Sequence, residues 1–162
     1  MTEFTHLDRS GNPTMVDISD KPVTRRTARA RAIVVLPEKV LALLQQGEIQ
    51  TPKGAVFQTA ILAGIMAAKK TGELIPLCHP LGLDNCQVSI RINNNQEVEV
   101  DSLATNTGRT GVEMEALTSV SIAALTIYDM CKAFSQQIVL RDIRLLEKTG
   151  GKKDYRAHES TF

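Results

Sequence analysis

The chain has no tryptophan, and only 4% of its 162 residues are aromatic, so its core has to be built from aliphatic side chains and alanine. An excess of charge of either sign is missing too. Nineteen Lys and Arg stand against eighteen Asp and Glu, a formal +1, which excludes the broad basic surface of a general nucleic-acid or membrane binder and confines any cationic site to a local cluster. Cysteines are few. Cys78, Cys86 and Cys131 are odd in number and show no C-x-x-C spacing, so neither a disulfide framework nor a zinc site is expected, and a reducing cytoplasm suits them. No run is long and apolar enough to span a bilayer, and the opening MTEFTHLDRSGNP lacks a basic segment followed by an apolar one. The sequence reads as a soluble, unexported, cytoplasmic protein.

What is present suffices for one domain. Hydrophobic residues make up 43% of the chain, and a chain of this size buries roughly 70% of the surface its unfolded form exposes. Residues 1–24 are rich in Asp, Ser, Thr, Gly and Pro and read as an N-terminal arm; residues 25–147 carry the periodic pattern of a folded domain, and residues 148–162 read as a flexible basic tail. From Thr27, alternation places Ala28, Ala30 and Ala32 on one side and Arg29 and Arg31 on the other, the period of a strand. PEKVLALLQQG follows, with Pro37 at a helix start and Gly47 as a stop. A longer alanine-rich helix is expected from about Gly54 to Lys70, ended by Thr71-Gly72. The two prolines of LIPLCHPLGLDN forbid regular helix and shape a loop. CQVSIRI and EVEVDSLAT alternate about NNNQ as a hairpin. TGRTG leads into a helix of over five turns, VEMEALTSVSIAALTIYDMCKAF, and IVLRDIRLL closes as a strand. With one extra short helix set aside, the order is that of a ferredoxin-like α+β domain: an antiparallel sheet with helices packed on one face.

Asp129 and Lys132 interrupt the long helix in surroundings that otherwise read as buried. Thr118, Ile122, Leu125 and Asp129 form one stripe with Glu115 and Lys132 at its margins, and Ala116, Val120, Ala123, Ala124, Ile127 and Phe134 form a second apolar arc. A helix apolar on nearly all sides is expected between its own sheet and another subunit. The plain reading of Asp129 and Lys132 is an i, i+3 ion pair worth a few tenths of a kcal/mol; the sharper one is an aspartate whose apolar setting perturbs its titration. Glu113 and Glu115 occupy the first turn, where the helix dipole stabilises acids without any function being needed. Glu115 and Asp129 are fourteen positions apart, about 21 Å along a helix, so they can share a site only across subunits.

Other signals are individually weak. Lys53 in PKGAV precedes a helix start, where a phosphate could bind, as a surface lysine equally could. Lys148, Lys152 and Lys153 with two glycines suit a phosphate clamp or a solvated tail, without the spacing of a P-loop. His79 in LCHP fits a structural loop histidine as well as a catalytic one, and Arg25, Arg26, Arg29 and Arg31 fit a solvated strand face or a triphosphate-binding row.

Their combination is specific. THLD, MVDIS, KGAVFQTAILAGIMAAKKTGELIPLCHPL, TGRTGVEMEALTSVSIAALTIYDMCKA and LLEKTGGK, from residue 5 to about 153, resemble in order and spacing the MoaC family, the cyclic pyranopterin monophosphate synthases of molybdenum cofactor biosynthesis. The resemblance implies a ferredoxin-like subunit in a homohexamer, a trimer of dimers, with active sites at subunit interfaces. It implies as substrate a GTP-derived cyclic nucleotide triphosphate, supplied by the radical S-adenosylmethionine enzyme of the previous step and rearranged with loss of pyrophosphate. Position by position, Asp129 matches the family's catalytic aspartate, a general acid/base, and Lys132 and Lys53 its catalytic lysines. Leu77, Cys78 and His79 match one substrate-contacting segment, and Met114 and Glu115, with Glu113 beside them, match another. Asp17, Arg26, Lys148 and Lys152 match positions lining the site or its cover. No protein-bound metal or cofactor is implied, although Mg²⁺ can accompany the triphosphate. One departure stands out: many relatives carry an acidic residue after KG, where this chain has Ala55.

Two other classes compete. An RNA-recognition module shares the element order, but such modules stack bases on aromatic residues of the sheet, and the three strands CQVSIRI, EVEVDSL and IVLRDIRLL contain none. A non-catalytic oligomeric scaffold would explain the buried-looking helix and leave the Lys53, His79, Glu115, Asp129 and Lys132 set without a purpose.

Overall fold

The computed structural model describes residues 7, 8 and 10–157. Thr5 and His6 of the THLD block, the first residues of the arm and the last five of the tail lie outside them. Strand β1 (Thr24–Val35) is followed by α1 (Glu38–Leu41), β2 (Leu44–Gln45), β3 (Glu48–Thr51), β4 (Gly54–Ala55), α2 (Val56–Ala68) and α3 (Thr71–Leu74). Next come β5 (Asn85–Ile92), β6 (Val98–Gly108), α4 (Glu113–Cys131), β7 (Val139–Thr149) and β8 (Tyr155–Arg156).

The main sheet runs β5-β6-β1-β7-β8, every neighbour antiparallel, and its first four strands carry the ferredoxin-like order. Alternation in β1 works as the period demands. Ala28, Ala30, Ala32 and Val34 are buried toward the helices, while Arg31 on the other face pairs with Asp101 at 2.7 Å and Glu99 at 2.8 Å. Opposite the alanines, α4 buries Ala116, Val120, Ala123, Ala124 and Ile127. Small residues on both sides let helix and sheet approach closely, which is how a core without tryptophan reaches native packing density. Gly64 does the same between α2 and α4: a Cβ placed there would sit 3.0 Å from the Ser119 carbonyl oxygen.

The structure corrects two local expectations. PEKVLALLQQG does not make one helix to Gly47. Helix α1 ends at Leu41, and Leu44 and Gln45 pair with Ile49 and Glu48 about a two-residue turn in which Gln46 has φ 51° and Gly47 φ 81°. Positive φ at both central residues is the type I′ geometry that matches the twist of a hairpin. Thr71 and Gly72, expected to stop the preceding helix, instead open the one-turn α3, with the Thr71 hydroxyl donating to Ala68 O at 3.0 Å. The fold thus has two extra short helices and a small sheet, β2-β3-β4. At the far end, β7 continues through Lys148 and Thr149, and Tyr155 pairs with Lys148, so strand structure extends into the stretch that reads as a tail.

Candidate active site

The sequence-predicted residues gather at the two ends of α4. At its C-terminal end, Asp129 lies between two lysines: Lys132 Nζ is 2.7 Å from Oδ1 and Lys53 Nζ 2.8 Å from Oδ2. Lys132 arrives one helical turn along. Lys53 arrives from the turn between β3 and β4, where its N–H donates to the Thr51 hydroxyl at 3.1 Å, the Thr51 hydroxyl donates to Gly54 O at 3.1 Å, and Gly54 takes φ 112°. Lys53 Nζ also donates to Asp129 O at 3.2 Å, a carbonyl at the helix end, where a cation is favoured.

Asp129 is not in the apolar setting that its neighbours in the sequence suggest, since its side chain is 52% exposed. Its carboxyl is held down at about 2 by hydrogen bonds from Lys132 and then Lys53, against a small opposing effect of burial. The same bond from Lys132 raises that lysine's own value. Of the stripe to which Asp129 belongs, Leu125 is exposed and Thr118 buried, while Ser119 and Ala123 face Gly64 of α2.

At the other end of α4 a cavity of about 650 Å³ is lined by Leu77, Cys78, His79, Glu113, Met114, Glu115, Lys148 and Lys152 together with Val16 and Ile18 of the arm. The backbone path explains the convergence. The proline-shaped loop at 75–84 brings in the LCH segment, TGRTG turns β6 into α4, and the end of β7 delivers Lys148. His79 Nε2 is 2.8 Å from Val16 O; a carbonyl only accepts, so Nε2 is the donor in this bond. Lys148 Nζ is 2.8 Å from Glu113 Oε1.

Glu115 is 3% exposed. Burial, followed by the charge of Glu113, pushes its carboxyl up, against a hydrogen bond from its own backbone. Burial and then Glu115 raise the Cys78 thiol as well. A carboxyl raised on folding costs stability above its unfolded value and costs nothing below it, where both states hold the proton. Glu115→Gln should therefore raise the melting temperature by a few degrees at about pH 7 and leave it unchanged at about pH 3; a melt at each pH checks this.

A second cavity, about 300 Å³, adjoins the first and shares Lys21, Thr110, Gly111, Glu113, Lys148 and Lys152 with it. Arg26 lines it, 9% exposed, with Nε donating to Gly108 O at 3.0 Å. Asp17 behaves otherwise: its carboxylate turns back onto Ser19 N–H at 2.9 Å, and it is Val16 and Ile18 on either side that face the cavity. Two cations absent from the sequence reading line this cavity, Lys21 and Arg109. Arg109 sits between the glycines of TGRTG and donates to Lys21 O at 3.2 Å; the arginine between two glycines ahead of a helix start was the available signal. Lys21, Arg26, Arg109, Lys148 and Lys152 thus line one cavity beside the start of α4, a concentration of positive charge that favours phosphate. Among the described residues no three His, Cys, Asp or Glu side chains converge to hold a metal, and no helix is long and apolar enough to cross a membrane.

The α+β domain thus carries an aspartate clasped by two lysines at one end of its long helix and a separate cationic cavity at the other. The MoaC family model matches residues 15–151. The chain is 46% identical over 167 aligned positions to Molybdenum cofactor biosynthesis protein 1 of Dictyostelium discoideum, the match covering 93% of this chain and 26% of that protein. This chain belongs to the MoaC family. It spans about a quarter of the length of that relative.

Proposed function

We propose that this protein acts in molybdenum cofactor biosynthesis as a cyclic pyranopterin monophosphate synthase, a phosphorus–oxygen lyase. It takes (8S)-3′,8-cyclo-7,8-dihydroguanosine 5′-triphosphate from a radical S-adenosylmethionine enzyme, rearranges it to cyclic pyranopterin monophosphate and releases pyrophosphate. Membership of the family supports the reading, and the observation that carries it is Asp129 held between Lys53 and Lys132.

The overall reaction is an isomerisation with loss of pyrophosphate. Water that opens the imidazole-derived ring is returned when the pterin closes, and a sugar hydroxyl displaces pyrophosphate from the α-phosphorus. Each step moves protons, and the last develops charge on the leaving phosphates. Lys132, whose charged form the Asp129 carboxylate stabilises, supplies an acid, and Lys53 places a second donor on the same carboxylate. Asp129 accepts a proton once a substrate group draws a lysine away, because the lysines are what keep its carboxyl near 2. The cations at the other end of α4 suit the triphosphate, with any Mg²⁺ travelling as part of the substrate. The two ends are too far apart for one nucleotide to touch both within one protomer, so the site is completed by a neighbouring copy in a homohexamer built as a trimer of dimers.

The test is turnover itself. The purified, assembled chain should release pyrophosphate and form the pterin from the cyclised dihydro-GTP; an assembled chain that does neither is not this enzyme.

A further inference from the structure

Helix α2 begins without a cap of its own. Its N-cap residue is Ala55, whose side chain makes no capping hydrogen bond, although a helix start normally has donors to satisfy. The missing carboxylate comes from elsewhere. Glu48, at the start of β3, accepts from Phe57 N–H at 2.8 Å through Oε1 and from Gln58 N–H at 3.1 Å through Oε2, and Oε1 also accepts from Ile49 N–H at 2.8 Å. One half-buried side chain therefore ties the first turn of α2 to the first residues of β3.

Between those two anchors runs a closed loop of chain, 49–56, and Lys53 sits at its apex. Thr51 and Gly54 shape the tip, the Lys53 bonds to Asp129 link it to α4, and the anchor at its base ties together the two ends of the loop that carries it. Glu48 also lies close to that end of α4, since its charge adds to burial in raising the thiol of Cys131, two residues past Asp129.

We propose that Glu48 is a positioning residue: by capping α2 from β3 it holds the β3-β4 turn so that the Lys53 ammonium stays on the Asp129 carboxylate, doing from a distance what an acidic residue at position 55 would do locally. A displacement of about 1 Å at a reacting group can cost about a hundredfold in rate, so the clamp matters to turnover without touching the substrate. The kinetic consequence rests on the function proposed above; the geometric one does not.

Two sets of measurements separate them. In Glu48→Ala, kcat should fall about tenfold or more with KM changed less than about threefold, while the assembly stays intact. The amides of Phe57 and Gln58 should exchange with solvent faster, and the Asp129 carboxyl, followed by carbon NMR, should titrate at higher pH than its native value of about 2, as it should in Lys53→Ala. Adding Ala55→Asp to Glu48→Ala should restore all three readouts, because aspartate is a strong N-cap, and Ala55→Asp alone should leave turnover unchanged. Unaltered exchange and unaltered Asp129 titration in Glu48→Ala would overturn the clamp, whatever the turnover. Faster exchange with native Asp129 titration and native kcat would overturn the positioning role. No turnover by the unmutated chain overturns the functional reading alone, since the exchange and titration results still decide what Glu48 holds.

Discussion

Asp129→Asn abolishes all but about 0.1–1% of turnover, the loss expected when a general acid/base group is removed, with the assembly and its melting temperature close to those of the unmutated chain. The substitution keeps the shape of the side chain and removes its charge. Asparagine can still accept one lysine hydrogen bond, but it neither takes a proton nor balances two ammonium groups that stand 2.7 Å and 2.8 Å away. Little stability is lost because the cluster is half exposed and solvent screens such pairs. The pH dependence has a definite sign. A carboxyl depressed to about 2 contributes stability above its unfolded value and loses it only as pH falls through about 2, so Asp129 stays ionised across the working range of the free protein. The kcat/KM profile of the unmutated chain should therefore show no inflection from Asp129 between about pH 5 and pH 8. Turnover of Asp129→Asn above a tenth of the unmutated level would remove Asp129 from the chemistry.

The sheet and the long helix were legible because burial there is one-sided and periodic. Alternating Ala28, Ala30 and Ala32 against Arg29 and Arg31 reports a strand with one face on a helix, and the structure places those alanines under α4. The span 113–131 has an acidic first turn and no Gly or Pro, so the helix runs on through the β-branched and hydroxyl residues of 118–122. What failed was short-range. In LLQQGEIQ the apolar residues suit a helix of 3.6 period, but Gln46-Gly47 adopts a type I′ turn, and Gln is a much weaker signal for positive φ than Asn. Non-local causes were hidden altogether. The bulges where β7 slips against β1, one of them at Asp142 with φ 53°, leave no mark in composition. Glu48 reads as an ordinary polar residue until the chain folds back and places it nine residues away on Phe57. The setting of Asp129 was not legible: it was expected in apolar surroundings, and the structure instead exposes it with its value lowered by two cations. No pattern within one helix could show that a lysine from position 53 would arrive there.

Separation of the candidate residues to opposite ends of α4 makes a stronger test possible. Take Asp129→Asn, defective at the C-terminal end, and Lys148→Glu, which breaks the 2.8 Å pair with Glu113 and puts a negative charge where a triphosphate would sit. Each variant alone should retain about 1% of turnover or less. Coexpressed so that protomers mix at random, the two should recover roughly a quarter of unmutated activity if sites form between the two members of a dimer: half the dimers are mixed, and each mixed dimer has one site with both ends intact. The alternative gives a different number. If one protomer supplied both ends of its own site, every protomer in the mixture would carry a defect, and mixing would recover nothing. Distance already favours the first outcome, because fourteen helical residues between Glu115 and Asp129 amount to about 21 Å, more than the reacting part of one nucleotide can bridge. A mixture no more active than its components would mean that the two clusters do not combine across a dimer, and the site shared between protomers would have to be given up.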